Sequence, residues 1–149
     1  MRSLIAVFPV QLQAKRAIEE VANNGLNTKN MTLITRDPSA GCLEGTAFLL
    51  VPGLGPLIVM GPIVAWIIDA LQTPVIVEGV SALGAGLVSL GVPVEDARGY
   101  EWSVRAGRSL LISFGSQDDM RRIYEMLRIL KPISIDTRPV PPEPAIPAA

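Results

Sequence analysis

Residues 3–8, SLIAVF, are apolar on both of the faces a strand presents, and Pro9 stops the run, so they read as a buried strand. From Gln11 the period lengthens. Ala14, Ala17, Ile18, Val21 and Ala22 fall on one helical stripe, while Lys15, Arg16, Glu19 and Glu20 fall on the other side. Asn23-Asn24-Gly25 closes that helix with residues that tolerate the left-handed conformation. A second strand follows at 30–36, NMTLITR, ended by Asp37-Pro38-Ser39. The same order returns near the C-terminus. SLLISF at 109–114 reads as a strand, and Ser116 with Asp119 comes close to a capping box. Met120, Ile123, Tyr124, Leu127 and Leu130 then form an apolar helical stripe that Pro132 ends. ISIDTR at 133–138 alternates, which predicts an edge strand with one face on the core and one in water.

Two strand-helix-strand halves of this kind predict an α+β fold of the split βαβ, ferredoxin-like plan: a four-stranded antiparallel sheet with helices on one face. Residues 1–138 would form that single domain, with residues 41–107 inserted between the second and third strands. The inserted helices are the nearest cover for the sheet's other face. Residues 139–149, PVPPEPAIPAA, hold five prolines in eleven and predict an extended tail.

The insertion is apolar to an unusual degree. Between Thr46 and Val92 the only charges are Asp69 and Glu78. Pro52, Gly53, Gly55, Pro56, Gly61 and Pro62 rule out a long helix there and predict a Pro/Gly loop. PIVAWIIDALQ, from Pro62, makes a helix of roughly 16 Å, about half the hydrocarbon thickness of a bilayer. Thr73-Pro74 reads as the start of a second helix running to Leu90 and ending at Gly91, so the block predicts a helical hairpin. On that second helix Ile76, Val80, Leu83, Leu87 and Leu90 form a heptad-like seam. The other side is a groove of small residues: Ser81, Ala82, Ala85, Gly86 and Ser89. Each helical glycine costs about 0.5–1 kcal/mol relative to Ala, so a close contact has to offset it. Three partners for the groove are open: this chain, a second copy, or lipid. Trp66 on the neighbouring helix is either core or an interfacial anchor. After the block, Pro93 starts a helix that continues to Gly107, with Glu101 and Arg105 spaced as a surface pair.

Composition removes whole classes of chemistry. The chain has 149 residues, no histidine and one cysteine, Cys42, which excludes Ser-His-Asp and Cys-His catalysis, histidine-bearing zinc sites and an intramolecular disulfide. A carboxylate-only metal site is the metal chemistry left open. The net charge is −1 and no basic run exceeds two residues, so nucleic acid is not an expected partner. Charged residues are 18% of the chain against a usual value of about 25%, and mean hydropathy is +0.39. MRSLIAVFPV has the outline of a short signal peptide, but its apolar run reads better as a strand, so a cytoplasmic location is expected. PGLGP at 52–56 lacks the Lys and Ser/Thr of a phosphate loop, and Glu95, Asp96 and Glu101 with Arg98 and Arg105 read as a solvated helix face.

The run from Gly91 through Pro93, Glu95, Ala97, Tyr100, Glu101 and Val104 to Gly107 resembles the bacterial heat-induced general stress protein family, with its YflT-like domain. PGLGPLIVMGP is similar to that family's Pro-Gly-x-Gly-Pro element. The likeness covers most of residues 3–115, although the chain has only GCLEGTAFLL where such proteins often carry a longer glycine-rich helix. It implies a small stress-linked protein with no catalytic residues to carry over. The expected function is therefore non-enzymatic and cofactor-free. It acts through self-association into a homo-oligomer, or through membrane contact by residues 46–92, using Ser81, Ala82, Ala85, Gly86, Ser89 and Trp66. The alternative is a small-molecule-binding regulatory module, which requires a polar-lined pocket that the sequence does not display.

Overall fold

The computed structural model describes residues 1–36, 46–51, 54–61 and 80–140. In order these form β1 (Arg2–Phe8), α1 (Gln11–Asn23), β2 (Met31–Thr35), β3 (Thr46–Val51), β4 (Gly55–Met60), α2 (Ala82–Ser89), α3 (Val94–Arg105), β5 (Ser109–Gly115), α4 (Gln117–Ile129) and β6 (Ser134–Pro139). The fold is α+β, and the strands make one open antiparallel sheet in the order β3-β4-β2-β5-β1-β6.

The expected four-stranded sheet thus has six strands among the described residues. The two beyond the expected four are β3 and β4, in the stretch where the sequence reading places a Pro/Gly loop. Residues 46–51 and 55–60 pair from Thr46↔Met60 to Val51↔Gly55, and β4 joins β2 through Leu33↔Met60 to Thr35↔Ile58. Pro56 is tolerated because it lies beyond the end of the β2 ladder, where β4 has a partner on one side only. The turn is closed by the Leu54 N–H donating to the Val51 carbonyl at 3.0 Å, with Gly55 at φ 84° supplying the left-handed residue. Gly55 and Pro56, which argue against a helix here, begin the second strand of a hairpin.

Each central strand buries both faces. Leu4, Ala6 and Phe8 of β1, Met31 and Leu33 of β2 and Leu111 of β5 pack under α1 and α4, through Ala14, Ala17, Val21, Met120, Ile123 and Leu127. Ile5, Val7, Ile34, Leu110 and Ile112 point the other way and meet Leu83 and Leu87 of α2, Leu90 at its C-cap, and Ala97, Tyr100 and Val104 of α3. Helices therefore cover both faces, with α2 and α3 as the second layer. The Ser116 hydroxyl caps α4 by accepting from the Asp119 N–H at 3.1 Å. At the other end the folded region runs past residue 138: Pro139 completes β6 and the Val140 N–H donates to the Met1 carbonyl.

Of the helix expected from Pro74 to Leu90, the described part is helical over Ala82–Ser89, and Ser81 before it is extended (φ −82°, ψ −176°) and acts as its N-cap. Residues 62–79, with Trp66, Asp69 and Glu78, lie outside the described residues, as do Cys42 and the tail from Pro141. Glu101 is not part of a surface pair. It is 5% exposed, and its Oε1 accepts from the Ser81 N–H at 2.7 Å and the Ser81 hydroxyl at 2.8 Å. In a capping box the Glu at the third helical position reaches back to the N-cap N–H. Here that position is Gly84, and the Glu101 carboxylate, arriving from α3, occupies the space its side chain would take. A Cβ at Gly84 would collide with Glu101 Oε1 and lie 2.6 Å from the Val80 Cβ.

Gly84→Ala is accordingly expected to destabilise by about 1–3 kcal/mol through overpacking. Gly99→Ala, in the helical interior of α3 with nothing within 4 Å of the new Cβ, should instead stabilise by about 0.5–1 kcal/mol. Urea midpoints of both variants check the opposite signs. In a Glu101→Ala background, the cost of Gly84→Ala should shrink, because the two changes share one contact.

Candidate functional site

β6 is the edge strand next to β1, and register decides which of its side chains face α3. Val7 pairs with Ser134, Ile5 with Asp136 and Ser3 with Arg138. Val7 and Ile5 point into the core layer under α2 and α3, so Ser134, Asp136 and Arg138 lie on that same side of the sheet. The sequence reading assigns this polar face of the strand to water. The structure roofs it with α3, whose Asp96, Gly99, Tyr100 and Ser103 sit across from it. The two elements enclose an open cleft of about 300 Å³, with Glu95 at the rim.

A chain of hydrogen bonds crosses the cleft. Arg138 donates from Nη2 to Asp96 Oδ2 at 3.1 Å and from Nη1 to the Tyr100 hydroxyl at 3.1 Å. Tyr100 in turn donates to Asp136 Oδ2 at 3.1 Å. The Arg138 guanidinium also lies 5.6 Å from the centre of the Tyr100 ring. Tyr100 is the hub because its ring belongs to the apolar stripe of α3 while its hydroxyl emerges into the cleft. Burial pushes that hydroxyl up to about 12, against the opposing pull of Arg138. Burial works against the Arg138 charge, but the Tyr100 hydroxyl, with Asp96 and Asp136, more than offsets it, and Arg138 is raised above its usual value. Glu95 and Asp96 stand in the first turn of α3, where negative charge suits the helix dipole.

The lining carries three carboxylates, Glu95, Asp96 and Asp136, against one guanidinium. Its chemistry is thus polar and net negative, with hydroxyl donors and acceptors from Tyr100, Ser103 and Ser134. The sequence-level trio of Glu95, Asp96 and Glu101 is split: the first two reach the cleft, while Glu101 is bound to Ser81 on the α2 side. A second, larger cavity of about 490 Å³ lies on the opposite side of β6, beneath α4, between Arg2, Arg121, Tyr124 and Thr137. Arg2 donates there to the Thr137 hydroxyl at 3.3 Å, but no comparable network spans that cavity among the described residues.

The small-residue groove is placed differently from the cleft. Ala85, Gly86 and Ser89 are buried, and the Ser89 hydroxyl donates to the Ala85 carbonyl at 3.1 Å. Ser81 and Ala82 keep partial exposure, with Ser81 engaged by Glu101. Trp66 lies outside the described residues. Sequence reasoning missed Asp136 and Arg138 because an alternating edge strand normally presents its polar side to solvent. Tyr100 at i, i+4 from Asp96 was the available clue that the inner and cleft-facing stripes of α3 are contiguous.

Comparison with protein-family models, with curated proteins and with solved structures finds no match. Among the described residues no group of acidic or cysteine side chains could hold a metal ion, and no helix is long and apolar enough to cross a membrane.

The raised hydroxyl yields an alkaline signature. Tyr100 is protonated in the fold up to about 12 but only to 10.0 when exposed, so it favours the folded state below pH 10 and that contribution is lost as pH rises toward 12. Urea unfolding between those limits should show a loss of stability that is absent in Tyr100→Phe.

Proposed function

We propose that the chain is a non-catalytic ligand-binding module on a ferredoxin-like frame, and that the α3–β6 cleft takes a small polar ligand carrying positive charge. The observation that carries this reading is the Asp96–Arg138–Tyr100–Asp136 network inside a concave site. Small-molecule sites combine concavity with a few convergent polar groups, and the sequence gives no hint of this one because its halves are separated in the chain. The ferredoxin-like assignment draws on the contiguous strands β2-β5-β1-β6, which hold the two strand-helix-strand halves with β3 and β4 added at one edge. Membership of the heat-induced stress family belongs to the same proposal and rests on the Gly91–Gly107 motif and the Pro-Gly element. The non-catalytic part rests on the absence of histidine and on a tyrosine held firmly in its neutral form.

Charge sets the ligand class. Two carboxylates in excess of the guanidinium favour an amine or guanidine over a carboxylate or phosphate, and charge-assisted hydrogen bonds to Asp136 and Asp96 would fix its orientation.

Self-association is a second reading, favoured by the unequal edges of the sheet. The β6 edge carries Asp136, Arg138 and Pro139, which discourage strand addition, whereas β3 has the uncharged sequence TAFLLV. A monomeric mass in light scattering at high micromolar concentration would rule it out.

Thermal-shift screening with amines, amino acids, carboxylates and nucleotides tests the first reading. The expected result is a saturable response confined to cationic compounds. Asp136→Asn should weaken it roughly 10- to 100-fold, in keeping with the loss of a hydrogen bond to a charged group. Absence of any saturable hit, or one indifferent to Asp136, would sink the reading.

A further inference from the structure

The outward face of α3 is unlike its other two. Arg98, Trp102 and Arg105 recur at i, i+4 and i+7 and are all exposed, Trp102 by 60%. Arg108, just past the helix, places its guanidinium 5.7 Å from the centre of the Trp102 ring. Arg36, at the end of β2, donates from Nη1 to the Arg105 carbonyl at 2.9 Å, which brings a further cation to the same end of the stripe. Of the acidic residues of α3, Asp96 is bonded to Arg138 in the cleft and Glu101 is buried against Ser81, while Glu95 stands in the first turn, three positions before Arg98. Basic residues in the last turn of a helix suit its dipole. That argument does not reach Arg98 and Trp102, which lie in earlier turns.

We propose that this Arg98–Trp102–Arg105–Arg108 face, with Arg36, docks on the headgroup layer of an anionic phospholipid membrane. An exposed indole is apolar across its rings and polar at its N–H, the combination that settles at a membrane–water interface. The Arg98 guanidinium, one turn before Trp102, suits phosphates in two-point geometry. The helix lies flat under this arrangement, since the stripe runs along its length and the opposite stripe is committed to the protein core. Arg98 to Arg105 spans about 10 Å of helix, a patch suited to a few headgroups and too short to track a nucleic-acid backbone. The site is distinct from residues 46–92 and from the α3–β6 cleft.

Co-sedimentation of the full chain with phosphatidylcholine vesicles, with and without phosphatidylserine, tests the proposal. Binding is expected only with phosphatidylserine, and should fall as salt rises. Each of Arg98→Gln and Arg105→Gln should weaken it about fivefold, as expected for one basic residue near an anionic surface. Trp102→Ala should weaken it and reduce quenching of tryptophan fluorescence by brominated lipid. Unchanged circular dichroism melts establish that these exposed positions leave the fold intact. Equal partition onto neutral vesicles, binding indifferent to the three substitutions, or tighter binding to single-stranded RNA than to the anionic vesicles would each overturn it.

Discussion

The central strands have no wet face. In β1, Leu4, Ala6 and Phe8 point to one side and Ile5 and Val7 to the other, and every one of them is at most 2% exposed. Burying a large aliphatic or aromatic side chain contributes roughly 1.5–3 kcal/mol, so a sheet apolar on both sides needs two helical layers. The helices that follow β1 and β5 in sequence, α1 and α4, supply one layer. The other has to come from the chain between β2 and β5, and this is the role of α2 and α3. Residues 82–105 are therefore half of the core's cover.

Within that second layer a polar contact ties α2 to α3. α2 is a short helix with no charged residue in its first or last turn and no hydrogen bond from its own capping side chain. Such a helix is marginal alone. Glu101 gives it what its sequence lacks: an acceptor for the N-cap N–H and negative charge at the positive end of the dipole. The glycine at position 84 is the condition for that approach. Gly84, which the sequence reading does not count among the groove residues, thus makes room for a carboxylate from the next helix.

What was legible in the chain follows the same physics. Strands such as 3–8 and 109–114 and helices such as 11–23 declare themselves because their periods agree with their ends. The β3–β4 hairpin was obscured by counting Pro52, Gly53, Gly55 and Pro56 as breakers of a helix. Two apolar runs, TAFLLV and PLIVM, separated by Pro-Gly-Leu-Gly carry the hairpin signal equally well. The Glu101 contact was not legible, because nothing local separates an i,i+4 surface pair from a carboxylate that reaches a helix 20 positions away in sequence. The cleft was hidden for a related reason: Asp136 and Arg138 show their role only once register places them under α3.

α3 shows why a chain's net charge says little about its partners. Four residues on its inner stripe, Ala97, Tyr100, Glu101 and Val104, fasten it to the core, and this fixes the azimuth of everything else on the helix. Asp96, Gly99 and Ser103 then have to face β6, and Arg98, Trp102 and Arg105 have to face away. Asp96 and Asp136 thus meet Arg138 on the cleft side of the helix, while Arg98 and Arg105 project on another side. A chain with a net charge of −1 thereby carries one acidic concavity and one basic surface. Screening confines the field of each to about 10 Å at moderate salt, so a ligand or a surface meets the local sign and not the sum.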